Sequence, residues 1–165
     1  MGKKTRPPIP HFNGKIIETH CHLDYLSKEE LVSTLRQSRA VGVEKIITIA
    51  VSRDNQSTVR EIADSDPNVW CTQGLHPHEA ASWSPDFNRD LRSNADHSKV
   101  VAVGEIGLDY YYEHAEPETQ IAAFEGQLRV AIECDKPVVI HSGRRVDLGL
   151  SSGQPGLGRS GKFRE

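Results

Sequence analysis

The sequence predicts an α/β protein in which parallel β-strands alternate with α-helices. Apolar, β-branched segments begin near residues 15, 45, 69, 100 and 136, a spacing of about 30 residues that is typical of βαβ units. Amphipathic segments with helix-capping residues lie between them. Four of the five strands also end in or lead to a histidine or a carboxylate, as catalytic strands do in parallel α/β barrels. Together these observations favour repeated right-handed βαβ units around one parallel sheet.

The first unit follows a basic, proline-containing segment, residues 1–14, which we expect to be a flexible lead-in. An apolar strand then runs into His20 and His22. Ser27 provides a helix N-cap, glutamates follow in the first turn, and Gly42 ends the predicted helix.

The second and third units repeat this arrangement. The segment 45–51 is a β-branched run of the buried type, and a helix is predicted over 55–65. The third strand, 69–73, leads into Gly74-Leu-His-Pro-His, and a helix over 86–95 completes the unit.

The last two predicted strands are 100–105 and 136–141, and Pro117 starts a long amphipathic helix between them. Residues 143–165 are rich in glycine and basic residues and lack apolar periodicity. We therefore expect a disordered tail there in place of a sixth strand, and assign the folded domain to residues 15–142.

Composition limits the function classes. A chain of 165 residues with 36% hydrophobic and 26% charged residues suits one globular domain, and a net charge of −3 excludes a sequence-wide basic surface for nucleic acid. The three cysteines, Cys21, Cys71 and Cys134, show no Cys-x-x-Cys spacing and are expected to be reduced. With no signal-peptide pattern and no membrane-length apolar run, we expect a cytoplasmic protein.

The strand ends predict a metal site. His20 and His22 are two residues apart in an extended segment, so they point to the same face while Cys21 points away, and two neutral imidazoles can hold a divalent metal. In a parallel barrel the ends of the later strands meet the first at one face. They contribute further candidate residues, namely His76, His78, Glu105 and His141.

Each candidate also has an ordinary structural interpretation. His141 could be a core histidine, Glu105 a helix-cap or salt-bridge carboxylate, and the segment 74–78 a turn stiffened by proline. Their repetition at the same edge of successive units favours a shared metal site.

Four motifs in order resemble those of the TatD family of metal-dependent hydrolases, over residues 15–142. They are Glu18-Thr-His-Cys-His-Leu-Asp, Gly74-Leu-His-Pro-His, Gly104-Glu-Ile-Gly-Leu-Asp-Tyr-Tyr and Pro137-Val-Val-Ile-His-Ser. The resemblance implies a TIM-barrel fold, two divalent metal ions (Mg, Mn, Zn or Co) and deoxyribonuclease activity that trims DNA from a 3′ end. It also implies that His20 and His22 hold one metal, that Glu105 bridges both, and that His141 holds the second.

These roles agree with two-metal chemistry, in which a carboxylate shared by two cations about 3.5–4 Å apart clamps the attacking and leaving oxygens of a phosphodiester. His76 and His78 are candidates for contact with the phosphate. Tyr110 and the next two tyrosines could stack on bases, although such a run is as often packing. Asp109 could orient a ligand or the loop.

The chain departs from the family pattern in two places. Glu18 stands where the family usually has Asp, and after His141 and Ser142 there is no late His or Asp, with Gly143 where an Arg usually follows. We therefore expect only about the first five βα units of the barrel, ended by truncation or a lost reading frame, with impaired or absent activity.

Two other functions remain open: a metal-dependent ester or amide hydrolase, such as an aminoacyl-tRNA deacylase, and a catalytically dead fragment. The expected partner is DNA as substrate, with no membrane and no known protein partner. Open sheet edges are expected to allow self-association.

Overall fold

The computed structural model describes residues 14–112 and 114–143. Its strands are β1 (Ile16–Cys21), β2 (Val43–Thr48), β3 (Val69–Gln73), β4 (Val100–Leu108) and β5 (Val138–Ser142). Its α-helices are α1 (Lys28–Ala40), α2 (Gln56–Ser65), α3 (Pro85–Ala95) and α4 (Pro117–Glu133). The predicted alternation of strands and helices is confirmed. Except for Gly14 and Gly143, the predicted lead-in 1–14 and tail 143–165 lie outside the described residues.

The five strands form one parallel sheet in the order β1-β2-β3-β4-β5. Because every strand runs in the same direction, all five carboxyl ends lie at one edge of the sheet, where the candidate residues were predicted to meet. Within the described residues β1 and β5 each pair with a single neighbour, and Ile17 and Ile140 are exposed on these two edge strands. Self-association through those edges stays a prediction.

Local sequence accounts for the helix boundaries. The Ser27 side chain accepts a hydrogen bond from the backbone of Glu30, and the Glu30 side chain accepts one from the backbone of Ser27, which forms a capping box at the start of α1. Gly42 follows α1 with a φ of 102°, a conformation that favours glycine. The Ser84 side chain caps the start of α3, and Pro85 occupies the first helical position.

Two apolar clusters hold the helices against the sheet. One lies around β1, β2 and β3 with α1 and α2, and includes Val59, Val69 and Cys71. The other packs α3 and α4 against β4, and includes Phe87, Leu91 and Val130. Burial of these side chains contributes about 1.5–3 kcal/mol for each large residue.

The structure differs from the sequence-based elements at several boundaries. β2 ends at Thr48, so the apolar residues 49–51 continue as a buried segment beyond the strand. β4 continues past Glu105 to Leu108, and short 3-10 helices occur at Leu23–Tyr25 and Pro77–Ser82. In the described part of the chain, no helix is long and apolar enough to cross a membrane.

Candidate metal centre

The carboxyl ends of the strands surround a cavity of about 430 Å³. Its lining contains His20, His22, Tyr25, Val51, His76, His78, Glu79, Glu105 and His141. The structure thus brings together every histidine and the glutamate that the sequence indicated. The predicted residues outside this lining are Asp109 and the tyrosines at positions 110–112; Tyr110 is half-buried in the loop that follows β4.

Glu105 stands between two groups of imidazoles. Its Oε2 lies 3.4 Å from His20 Nε2, and its Oε1 lies 3.1 Å from His141 Nδ1. Its two oxygens therefore face different histidines, as a bridging carboxylate requires.

Among the residues that the structure describes, potential ligand atoms form three groups, within each of which they lie no more than 4.8 Å apart. The groups are His20, His22 and Glu105; His76, Glu105 and His141; and His78, Asp109 and His141. Imidazole and carboxylate donors suit Zn, Mn, Co and, less well, Mg. The residues present therefore fit the divalent ions that the sequence predicted.

In the first group, the His22 ring is held in an orientation that suits a metal ligand. His22 Nδ1 lies 3.3 Å from the Ile49 carbonyl, a contact in which only an N–H can donate, so Nε2 is left with a free lone pair. The backbone N–H of His20 donates to Glu18 Oε1 at 2.9 Å. The longer side chain at position 18 thus contacts the ligand-bearing segment directly.

Cys21 lies between these histidines but faces the opposite side of β1, as predicted. Its thiol donates to the Ile47 carbonyl at 3.6 Å. Burial, reinforced by the charges of Glu18 and Asp24, raises the pKa of Cys21 to about 11. The thiol therefore stays protonated near pH 7 and is not suited to bind metal.

Asp109 links two further histidines. Its Oδ2 lies 3.0 Å from His141 Nε2 and 3.0 Å from His78 Nε2. Burial alone would raise the pKa of Asp109, but hydrogen bonds from the Tyr111 backbone, His141 and His78 outweigh burial and hold that pKa well below its ordinary value. Asp109 is therefore a carboxylate that orients both rings.

His76 has the reverse electrostatic character. Burial first, and the neighbouring His141 second, lower the pKa of His76 to about 4. The ring is neutral near pH 7, which is the form that can donate a lone pair to a metal.

The segment 49–51, predicted as the end of a strand, joins the ligand-bearing segments. Its backbone groups form these hydrogen bonds: Ile49 N to Cys21 O at 2.9 Å, Glu105 N to Ala50 O at 2.9 Å, and His76 N to Val51 O at 2.9 Å. Because these peptide groups pair with β4 and with the segments at the ends of β1 and β3, the segment 49–51 sets the spacing of the centre.

Gly74 permits a close approach of β3 and β4. A Cβ on Gly74 would lie 2.7 Å from the Gly104 carbonyl carbon, closer than real side chains tolerate. The glycine of the second sequence motif therefore allows the segments that carry His76 and Glu105 to meet.

Two glutamines on α4 support the centre and were not predicted from the sequence. Gln120 accepts from Asp109 N at 2.8 Å and donates to Asp109 O at 2.9 Å, while Gln127 accepts from Leu75 N at 2.7 Å and donates to Leu75 O at 3.1 Å. Both side chains are buried. The sequence did contain a signal for them: the two glutamines are seven residues apart and so lie on one face of an amphipathic helix. Buried amides on such a face need hydrogen-bond partners.

The aromatic surroundings also include a residue that was not predicted. Tyr25 is 72% exposed and stacks on the His22 ring, with centroids 5.4 Å apart. On the other side of the centre, Tyr111 and Tyr112 are exposed and line a cavity of about 320 Å³ with Asp109, His141 and Gly143.

Comparison with known proteins agrees with this arrangement. The family model described as "TatD related DNase" matches residues 17–149. Proteins named "3'-5' ssDNA/RNA exonuclease TatD" are similar: the one from Enterobacter lignolyticus is 33% identical over 102 residues, 62% of this chain and 39% of that protein. The one from Klebsiella pneumoniae is 34% identical over 105 residues, 64% of this chain and 40% of that protein. The aligned part of the chain thus spans about two fifths of the length of these relatives.

Solved structures of TatD proteins are also similar to this chain. The crystal structure of YJJV, a TatD homolog from Escherichia coli K12, is 34% identical with a TM-score of 0.72, covering 78% of this chain and 51% of that one. A TatD family hydrolase from Entamoeba histolytica, at 20% identity, shares the fold with a TM-score of 0.70, covering 83% and 52%. The predicted barrel-type α/β fold, with five parallel strands joined by helices, is confirmed. From the family match, which spans most of the folded residues, the chain belongs to the TatD family.

Proposed function

We propose that this protein uses divalent metal to hydrolyse phosphodiester bonds of single-stranded nucleic acid, starting from a 3′ end. The observation that carries the proposal is Glu105, whose two carboxylate oxygens face separate groups of histidines. The curated relatives named as ssDNA/RNA exonucleases support the choice of substrate.

His20 and His22 would hold one ion with Glu105, and His141 would hold a second with the same carboxylate, beside His76. When bound, two such ions stabilise charge on the phosphate oxygens and make hydroxide available near neutral pH. The Glu105 carboxylate and the imidazoles of these histidines would supply the ligands.

Asp109 and His78 extend the centre toward the substrate. Asp109 holds one nitrogen of His141 and one of His78, so neither ring can rotate freely. His78 also lies next to Tyr112, with ring centroids 5.7 Å apart. We assign His76 and His78 to the neighbourhood of the scissile phosphate, where His78 is fixed by Asp109 and borders the exposed aromatic surface.

Exposed aromatic rings on both sides of the centre favour a single strand over a duplex. Tyr25 lies on the β1 side, and Tyr111 and Tyr112 lie on the β4 side. Unpaired bases can stack on such rings, each worth about 1–3 kcal/mol, whereas paired bases present no free face. Tyr110, also predicted to bind substrate, would support this loop from its half-buried position.

The test is cleavage of a 5′-labelled single-stranded DNA by purified protein with and without Mn²⁺ or Mg²⁺. We expect at least a weak ladder, shortened from the 3′ end and dependent on metal, and we expect Glu105→Gln to abolish it. Glu79→Gln is the matched control, because Glu79 lines the same cavity but belongs to none of the three ligand groups. Absence of metal-dependent cleavage would contradict the proposal, and turnover of an aminoacyl ester in its place would identify a deacylase.

A further inference from the structure

We propose that the cleft between α2 and α3 is a second binding site, separate from the metal centre, that takes a phosphate group. The cleft has a volume of about 190 Å³ and is lined by residues of both helices and of the loop that precedes α2. This proposal does not depend on the nuclease activity proposed above.

Two arginines face the cleft. Arg53 lies over the Phe87 ring at 5.1 Å, so its guanidinium is supported by a buried aromatic face. Arg60, about one turn into α2, donates to Asn94 Oδ1 at 2.8 Å and retains further N–H groups. Planar guanidinium groups fixed by such contacts suit the geometry of phosphate oxygens.

Gln56 lines the cleft and carries a buried, unused donor. Because arginine can only donate, the Arg60 contact fixes the Asn94 amide with its Nδ2 toward Gln56, where it lies 3.5 Å from Oε1. That contact identifies the Gln56 atom facing Asn94 as the amide oxygen Oε1. The amide nitrogen Nε2 of Gln56 then has no hydrogen-bond partner in the described residues. Gln56 is only 7% exposed, so water does not satisfy this group readily.

The start of α2 adds further donors. The cap residue Asn55 makes no side-chain bond to the first turn of the helix. Its Oδ1 instead accepts from the backbone of Val51 and Ser52, and its Nδ2 donates to Asp24 at 3.0 Å. The first-turn N–H groups of α2, next to Ser57 in the cleft lining, therefore have no side-chain cap at the positive end of the helix.

One carboxylate opposes an anion at this site. Asp90 lies on the rim, 3.8 Å from Arg53, and its side chain is exposed to water. Solvent screens the charge of Asp90, whereas the Gln56 amide is buried and is screened less. The cleft has more hydrogen-bond donors than this one opposing carboxylate. We expect removal of the Asp90 charge to strengthen binding of the anion, whereas loss of an arginine should weaken it.

The experiment is titration of the metal-free, isotopically labelled protein with inorganic phosphate, observing the side-chain amide resonance of Gln56. We expect a saturable shift of that resonance. Arg53→Gln/Arg60→Gln should weaken binding about tenfold or more, and Asp90→Asn should tighten it about two- to fivefold. Arg129→Gln, on the exposed face of α4, is the matched control and should have no effect.

If the double variant melts early, Arg53→Gln alone keeps the Arg60 contact to Asn94 and should still weaken binding severalfold. The absence of a saturable shift, or a shift that survives both arginine substitutions, would overturn the proposal. Competition with a single-stranded oligonucleotide identifies the source of the phosphate. Displacement of phosphate by the strand would assign a phosphodiester of bound nucleic acid, and no displacement would assign a free or small-molecule phosphate.

Discussion

The two sides of the candidate metal centre are built in different ways. His20 lies in β1, an edge strand of the described sheet in which residues 17–20 are exposed, and His22 follows directly after this strand. Glu105 comes from β4, which pairs with a strand on each side and is buried along most of its length. One side therefore presents ligands from the surface, and the other presents them from the core.

Helix α4 increases this contrast. Gln120 and Gln127 fix the backbone of Asp109 and of Leu75, one residue before His76, through paired hydrogen bonds that bridge up to 52 positions in the chain. Loss of a buried partner costs more than the bond itself contributes. Metal affinity and folding stability should therefore change together on the β4 side and separately on the β1 side.

The largest expected effect is on metal binding at β1. His20→Ala/His22→Ala removes two imidazole ligands and should lower metal affinity by about 100-fold or more, since even the loss of a group behind a ligand costs about 10–100-fold. The free energy of unfolding should change by less than about 1 kcal/mol, because both positions are partly or fully exposed.

Elemental analysis and thermal unfolding measure both quantities on the same preparation. His97→Ala is the matched control, because His97 lies before β4 at the opposite end of the sheet and contacts Asp64. Equal metal content in the double variant and the control would refute the ligand assignment at β1.

The next largest effect is on stability at the β4 side. Gln127→Leu leaves the buried N–H and C=O of Leu75 without partners and should lower the free energy of unfolding by about 2–3 kcal/mol. Gln37→Leu, at an exposed glutamine that bonds only Ser33, should change it by less than about 0.5 kcal/mol. Chemical denaturation compares the two, and similar values would show that α4 does not brace the centre.

A smaller effect is expected where β5 meets Asp109. A Cβ on Gly143 would lie 2.1 Å from Asp109 Oδ1, so Gly143→Ala must displace the carboxylate that holds His141 and His78. Metal affinity should fall about tenfold. Gly14→Ala is the control, because a Cβ there meets nothing within 4 Å. Calorimetric metal titration of both variants gives the comparison, and equal affinity would place Asp109 outside the metal centre.

The smallest effect lies far from the centre, at the amino-terminal end of β3. Burial alone would raise the pKa of Asp66, but hydrogen bonds from Arg39 and the Asn68 backbone outweigh it and lower that pKa. A lowered folded-state pKa stabilises the fold above the ordinary aspartate value of about 3.9, and this contribution disappears as the pH falls through the lower folded value.

Asp66→Asn should therefore lower the free energy of unfolding by about 1 kcal/mol at pH 7, and by less as the pH approaches 3. Unfolding curves at several pH values test this, with Asp86→Asn at an exposed ion pair as the control. A difference from the parent protein that does not depend on pH would mean that Asp66 acts without its charge.

Features set by local periodicity were predictable from the chain. Alternation along an extended segment places His20 and His22 on one face and Cys21 on the other, and the structure has this arrangement. The capping residues Ser27 and Gly42 define α1 because their hydrogen bonds and dihedral angles involve only neighbouring residues. The presence of five parallel strands alternating with helices followed from their spacing.

Tertiary packing decided which polar groups meet. Nothing in the local pattern indicates that Gln127 bonds Leu75, that Asp109 holds His78 and His141 together, or that the segment 49–51 leaves its strand to pair with β4 and with the segments at the ends of β1 and β3. Each of these contacts joins residues that are distant in sequence, so it depends on the angle and depth at which helices and strands pack. Periodicity encodes which face of an element is buried, whereas the partner of a buried polar group is known only when the opposing surface is in place.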